Sequence, residues 1–433
     1  MKSQTEFQSA VKNNFSIKKQ ETKTMRNRIF ILAFIIVCVY SNRPINADEI
    51  RKDGNYWTGQ ITKTFDVRKN GQLVIKDVYG DITIHTWDKL QVKVHEIKRM
   101  DIFSKNEAEA AMEAGENNYQ QTGEFIFIGG AGFNRKWIQS RFEIWVPTEF
   151  HCSIETEGGD LKIENLQGNI KAYTGGGDVE ITEIDGTINV KTGGGDIRIY
   201  RALREVNVTT GGGDIEIVSA KGPVDATTGG GNVSASETQY DVKVQTGGGD
   251  ITIQESQGNV DVKTGGGDIE ISKSGGTVTV ATGGGDIDLK SVNNNCRIQT
   301  GGGDVYGDDI KGDTNIKTGA GDIVLNNLNG KLNALTGSGD VFVDMAVLND
   351  KKGFPIKIQT GYGNIQLAIP GNMRATIQAS VSEDFEISSD FSLVISTLNK
   401  FGDKFVEATG KLNGGGELII LETGGGDIRL GKK

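Results

Sequence analysis

The sequence predicts an all-β, single-stranded parallel β-helix: a β-solenoid of 18-residue rungs, with caps at both ends. Three observations predict it. The pentapeptide Thr-Gly-Gly-Gly-Asp begins at Thr174, Thr192, Thr210, Thr246, Thr264, Thr282 and Thr300, and variants at Thr156, Thr228, Thr318 and Thr336 complete eleven copies at an 18-residue spacing. Within a unit such as TGGGDIRIYRALREVNVT, Ile197 and Ile199 alternate with Arg198, then Val206 and Val208 alternate with Asn207, which is the period of half-buried strands. Glycine reaches 61 of 433 residues while proline is only 5, so tight turns are many and neither collagen nor a proline-rich linker fits. One unit has no core of its own. Stacked units make one, with rungs ~4.8 Å apart.

The elements follow in chain order. Residues 1–47 read as a secretory signal peptide, with Met25 a possible start, Arg26 and Arg28 as the basic flank, an apolar run from Ile29 to Tyr40 and a small residue at Ala47. That run is shorter than the about 20 residues needed to span a bilayer, so the mature chain is expected to be exported with no transmembrane segment. Cys38 is not expected to be a lipoprotein cysteine, because Val37 stands where a small residue is needed. Residues 48–155 are expected to form an N-terminal cap and first rungs, with strands near 72–76, 81–85, 124–128 and 141–146. One helix is expected at 104–114, where Ser104 and Glu107 form a capping box. Residues 156–370 form the repeat array and 371–433 a C-terminal cap with a last rung. Capping matters because an open sheet end invites polymerisation.

Charge limits the partners. Without residues 1–47 the chain carries 39 Lys+Arg against 55 Asp+Glu, a net of −16, which should repel nucleic acid. Cys152 and Cys296 are 144 residues apart, eight rungs, so they share one inward position about 38 Å apart and cannot form a disulfide. In the turns, Glu157, Ala320, Ser338 and Tyr362 replace the first or second glycine, whereas the third is constant from Gly159 to Gly339. The expectation is that the third position is held at positive φ.

The aspartate closing each turn is the strongest chemical feature. Asp160, Asp178, Asp196, Asp214, Asp250, Asp268, Asp286, Asp304, Asp322 and Asp340 form an outward ladder interrupted by Asn232. Neighbours ~4.8 Å apart repel by about 0.9 kcal/mol even in water, so the ladder needs compensation. Either the carboxylates accept turn N–H bonds, or Ca²⁺ sits between rungs from Asp178 to Asp322. Turn capping is favoured because each rung supplies few oxygens, and no other cofactor is expected. An enzyme needs carboxylates with separated roles, which a uniform ladder does not provide. His85, His95 and His151 lie outside the array without metal-ligand spacing. The outward second-strand positions, Lys171, Asn189, Asn207, Asp225, Lys243, Asp261 and Thr279, are too mixed for an ice-binding threonine face.

One outward column changes character. After Lys162, Glu180, Arg198, Glu216, Ser234, Thr252, Glu270 and Asp288 it becomes Tyr306, Val324 and Phe342, an apolar strip about 10 Å long. Either the C-terminal segment carrying Phe385, Ile387, Phe391, Leu393 and Ile395 covers it, or it is a binding site.

These residues resemble the adhesin-like family of secreted bacterial β-strand repeat proteins, a domain of unknown function. The matching features are VYGDITIHTW at 78–87, Val146–Pro147 before the array, the GDI-x-I strands, GNIQLAIP at 363–370 and the closing GGGDIRL. The resemblance implies a right-handed parallel β-helix and a surface or envelope location. The expected function is non-enzymatic adhesion or envelope-associated binding, with a cell-surface glycan, cell-wall polymer or protein as partner. The alternative is a β-helix polysaccharide lyase or hydrolase.

Overall fold

Residues 178–195 show how one rung is made. Val179 and Ile181 point inward from the strand Val179–Ile184, and Ile188, Val190 and Thr192 point inward from Ile188–Thr192. Between them Glu183 sits at φ 59°, which changes the inward spacing from two residues to three and turns Ile184 into the core. The same left-handed residue recurs at Asn165, Arg201, Ser219, Glu237, Glu255, Lys273, Ser291, Asp309 and Asn327. Such a conformation is unusual for Glu, Arg or Lys, and the repeated geometry of the stack imposes it.

The computed structural model describes residues 50–116, 119–129, 137–347, 353–400 and 403–433; the signal-peptide segment and Cys38 lie outside them. Successive rungs pair in parallel at a constant 18-residue register: Val179 opposite Ile197 and Ile197 opposite Ile215 in one sheet, Ile188 opposite Val206 and Val206 opposite Val224 in the other. The inward residues form one continuous apolar core from Val67 to Leu430. Cys152 and Cys296 are buried free thiols within it, and burial pushes each thiol pKa up to about 12.

The turns correct the expectation for the third glycine. Only Gly80, Gly159, Gly339 and Gly363, near the ends of the stack, have φ in the left-handed range at this position. From Gly177 to Gly321 the constraint is close approach of stacked backbone: a Cβ on Gly249 would lie 2.1 Å from the carbonyl oxygen of Gly231. The first glycine is equally closed, since a Cβ on Gly247 would meet Gly229 O at 2.1 Å, whereas Gly248 has nothing within 4 Å. Ala320, Ser338 and Tyr362 all occupy that open second position. Glu157 is tolerated at the first because the turn beneath it, Val78–Tyr79–Gly80, is one residue shorter.

At both ends the chain stacks out of sequence order. The rung made by Gly71–Val78 and Gly80–Trp87 lies between Phe125–Gly129 with Ile138–Pro147 on one side and Phe150–Thr156 with Leu161–Glu164 on the other. At the far end Glu417–Thr423 and Ile428–Lys432 insert between Ile356–Tyr362 with Ile365–Ile369 and Ala375–Ser382 with Ile387–Ser389. Antiparallel strands then finish most of the edges: Gln91–Met100 and Tyr56–Asp66 beyond Ile138–Pro147, and Asp403–Leu412 and Val394–Lys400 beyond Ala375–Ser382.

The helix runs from Lys105 to Glu116, two residues further than expected, and Ser104 Oγ caps it by accepting the Glu107 N–H at 3.3 Å. Its Ala108, Ala111 and Met112 are buried, and Met112 fills the space left by Gly59. Nearby, the inward-facing Glu96 is bonded by Lys98 Nζ at 2.5 Å, Ser140 Oγ at 2.6 Å and the Tyr119 hydroxyl, so its burial leaves no carboxylate oxygen unpaired.

Candidate functional site

The repeat motif is a hydrogen-bonded joint between rungs. Thr174 Oγ1 donates to the carbonyl of Gly159 in the rung before at 2.9 Å and accepts the Gly177 N–H of its own turn at 3.2 Å. The pattern repeats with Thr192, Thr210, Thr228, Thr246, Thr264, Thr282, Thr300 and Thr318, all buried. Each aspartate belongs to the same joint. Oδ1 of Asp160, Asp178, Asp196, Asp250, Asp268, Asp286, Asp304 and Asp322 accepts the backbone N–H of the next ladder residue at 2.7–2.9 Å. Asp214 does the same for Asn232, and Asn232 for Asp250. Asparagine can replace aspartate here because the joint requires an acceptor oxygen, not a charge.

A shorter ladder of the same kind lies at the opposite turn: Asn169 Oδ1 accepts from Thr187, Asp241 from Asn259, and Asn295 from Asp313. His151 starts it, accepting the Asn169 N–H at its Nδ1 at 3.0 Å. That gives His151 a backbone-holding role.

The structure therefore brings Asp178, Asp196, Asp214, Asp250, Asp268, Asp286, Asp304 and Asp322 into one column and engages one oxygen of each. Among the described residues no three His, Cys, Asp or Glu side chains come together as metal ligands. Turn capping and calcium predict different melts. Capping expects the melting temperature to be the same in millimolar Ca²⁺ and in chelator. Calcium at a hundredfold excess over its Kd would add about 2.7 kcal/mol for each independent site, and such a rise would assign the column to the cation.

The apolar strip is stacked as expected: Tyr306 pairs with Val324 and Val324 with Phe342, between Asp288 on one side and Gln366 on the other. Tyr306 is 38% exposed, its hydroxyl accepting from Asn326 Nδ2 at 3.2 Å, and Val324 and Phe342 are half-buried. The covering expected from the C-terminal segment is absent among the described residues. Ser388 follows Phe342, Gln366 and Arg429 in the stack, so that segment extends the rod lengthwise. Phe385, Phe391 and Leu393 pack on the core, Ile387 is buried beside Ile428, and Ile395 is 57% exposed.

Sequence reasoning missed a second aromatic group, on the outer face of the N-terminal strands. Lys93, Trp145 and His85 lie in one row on three adjacent strands. Lys93 Nζ is 4.9 Å from the centre of the Trp145 ring, and His85 stacks on that ring with centroids 5.5 Å apart. Trp87 lies 6.4 Å from Trp145, carries Lys89 Nζ at 4.9 Å and donates its indole N–H to Gln91 O at 2.7 Å. The signal available was that all four tryptophans, Trp57, Trp87, Trp137 and Trp145, fall before the array.

The family model described as Toastrack DUF4097 matches residues 70–273 and 254–430. A provisionally named adhesin from Bacteroides fragilis is 19% identical, with a TM-score of 0.31 over 51% of this chain and 96% of its own. A provisionally named cell adhesion protein from Clostridium sporogenes is 9% identical, with a TM-score of 0.17 over 87% of this chain and 100% of its own. No curated protein matches the chain.

Proposed function

Because the chain belongs to the Toastrack DUF4097 family, whose name carries a fold and no activity, we propose that it is a non-enzymatic solenoid exported to the cell surface or envelope for adhesion. The observation that supports this reading most is where the repeated residues are spent. Thr, the first and third glycines and the Asp of each unit all bond or pack within the stack. What repeats is scaffold, and binding belongs to the outward positions that differ between rungs. Tyr306, Val324 and Phe342 are a contiguous apolar group of three rungs among them, and Tyr and Phe suit either a protein partner or a sugar ring. No helix among the described residues is long and apolar enough to cross a membrane.

The test is binding of the purified mature chain to an array of glycans, cell-wall polymers and surface proteins. Phe342→Ser is expected to abolish binding while stability changes by less than the ~2–4 kcal/mol lost on truncating a fully buried aromatic. Retained binding, or a loss of stability in that range, would remove the strip from the reading. A β-helix lyase or hydrolase would instead turn over polymers on the same array, and turnover would replace adhesion with that alternative.

A further inference from the structure

We infer that the outer face of the N-terminal strands binds an acidic polysaccharide through Lys89 and Lys93, held over the Trp87 and Trp145 rings. The inference rests on reading the chain as a surface-binding rod and adds a second site, nine rungs from the Tyr306 strip on the same sheet, about 43 Å away.

Charge is unevenly distributed along the chain. Residues 50–147 carry 14 Lys+Arg against 13 Asp+Glu, whereas residues 148–433 carry 25 against 40. The cationic share of this acidic chain is thus concentrated at one end. Among the described residues Lys89 and Lys93 have no carboxylate partner; each ammonium rests on an indole ring at 4.9 Å. By contrast, Arg141 on the same face reaches Asp81 at 3.8 Å, and Lys162 is held by Glu164 at 2.9 Å.

Ring orientation then selects the ligand. Trp145 is flanked by Lys93 from one neighbouring strand and His85 from the other, so it stands upright with its faces occupied and its edge toward solvent. An aromatic ring is negative on its face and positive at its edge. The ammoniums sit on the negative faces and the positive edges are left for a ligand. Trp145 offers no free ring face for a neutral sugar to stack on, and one face of Trp87 is taken by Lys89. Such a surface favours anions.

The carboxylates around the site are Asp88, exposed between Trp87 and Lys89 in the chain, and Glu143, on the strand of Trp145 and opposite His95 and Thr83. Glu164 is bound to Lys162, and Asp66 accepts from Gln91 at 2.8 Å. The neighbouring outward positions Thr64 and Thr83 present hydroxyls, which match a polymer carrying both hydroxyl and carboxylate groups, while the Thr62 hydroxyl is bonded to His95 Nδ1 at 3.1 Å. A duplex, with one charge per ~1.7 Å, would be repelled far more strongly by the acidic remainder of the rod than a polymer bearing one carboxylate per sugar.

The experiment is affinity electrophoresis of the full mature chain in gels containing polygalacturonate, neutral dextran or inorganic polyphosphate, with sedimentation on phosphatidylglycerol vesicles. Wild type is expected to be retarded by polygalacturonate alone, less so as salt rises. The double variant Lys89→Gln/Lys93→Gln, whose changes at one exposed and one half-buried outward position leave the melting temperature in place, is expected to lose about tenfold in affinity. Phe342→Ser should be retarded as wild type is. If wild type binds polygalacturonate and the double variant binds it equally, this site is wrong while the adhesion reading stands. Equal or stronger binding to polyphosphate or vesicles overturns the sugar-acid assignment. If wild type binds no member of this panel or of the surface array, the adhesion reading itself falls.

Discussion

Gly249→Ala is expected to destabilise the rod by about 3 kcal/mol or more, and Gly247→Ala by a similar amount, while Gly248→Ala leaves it within about 0.5 kcal/mol. The three positions are consecutive in one turn and differ only in what lies beneath them. A methyl group at 249 or 247 would sit 2.1 Å from a carbonyl oxygen of the preceding rung, and that oxygen belongs to backbone in register on both sides. It cannot swing aside as a side chain would. Relief requires the rungs to separate locally, which would strain the neighbouring Thr and Asp bonds to Gly231 and Asn232 as well. At 248 there is open space, so the added methyl can only reduce the freedom of the unfolded chain. Thermal melts of the three variants decide it. Comparable losses at all three positions, or none at 249, would mean that turn stacking does not restrict these glycines.

The same turn shows how far the sequence could be read. The 18-residue period, the inward aliphatics and the outward aspartates follow from alternation, because a two-residue period leaves each strand one buried face. The buried threonine was within reach of the same logic. Thr192 continues the parity of Ile188 and Val190, and only its polarity, adjacent to glycine, argued against an inward position. The left-handed corner was less accessible. Glu183, Arg201 and Lys273 have no preference for that conformation, and its trace was the three-residue step from Ile181 to Ile184. The third glycine was identified as constrained, but for the wrong reason: constancy shows that a side chain is excluded without separating strain from collision. The lysine–tryptophan face could not be assembled at all. His85, Trp87, Lys93 and Trp145 are joined only by strand pairing across a long connection, and no local pattern encodes that pairing.

Removing the last rung should have the other large effect. A chain ending at residue 413 loses the inserted strands Glu417–Thr423 and Ile428–Lys432, including the buried Ile419, Leu421, Thr423, Ile428 and Leu430. Four of these are aliphatic, and each contributes about 1.5–3 kcal/mol on burial, so the direct loss is on the order of 6–12 kcal/mol as an upper estimate. The consequence extends further because this rung is interior. Its removal strips one of two parallel partners from Ile356–Tyr362 below and the parallel partner from Ala375–Ser382 above, and Ile387–Ser389 loses its partner strand altogether. Residues 371–412 would then hold together mainly through the antiparallel hairpins of Ala375–Ser382, Asp403–Leu412 and Val394–Lys400, too little to stay folded without a stack beneath. The array itself depends on nearest-neighbour contacts and should remain folded up to its newly exposed edge. Limited proteolysis is therefore expected to remove residues 371–412 rapidly and to stop near 370, because Ile365–Ile369 keeps its pairing with Val341–Met345. A synthetic peptide covering 414–433, added in trans, should restore protection by refilling the gap. If residues 371–412 stay protected without the peptide, the inserted rung is not what holds the cap, and the interleaved order of strands is wrong.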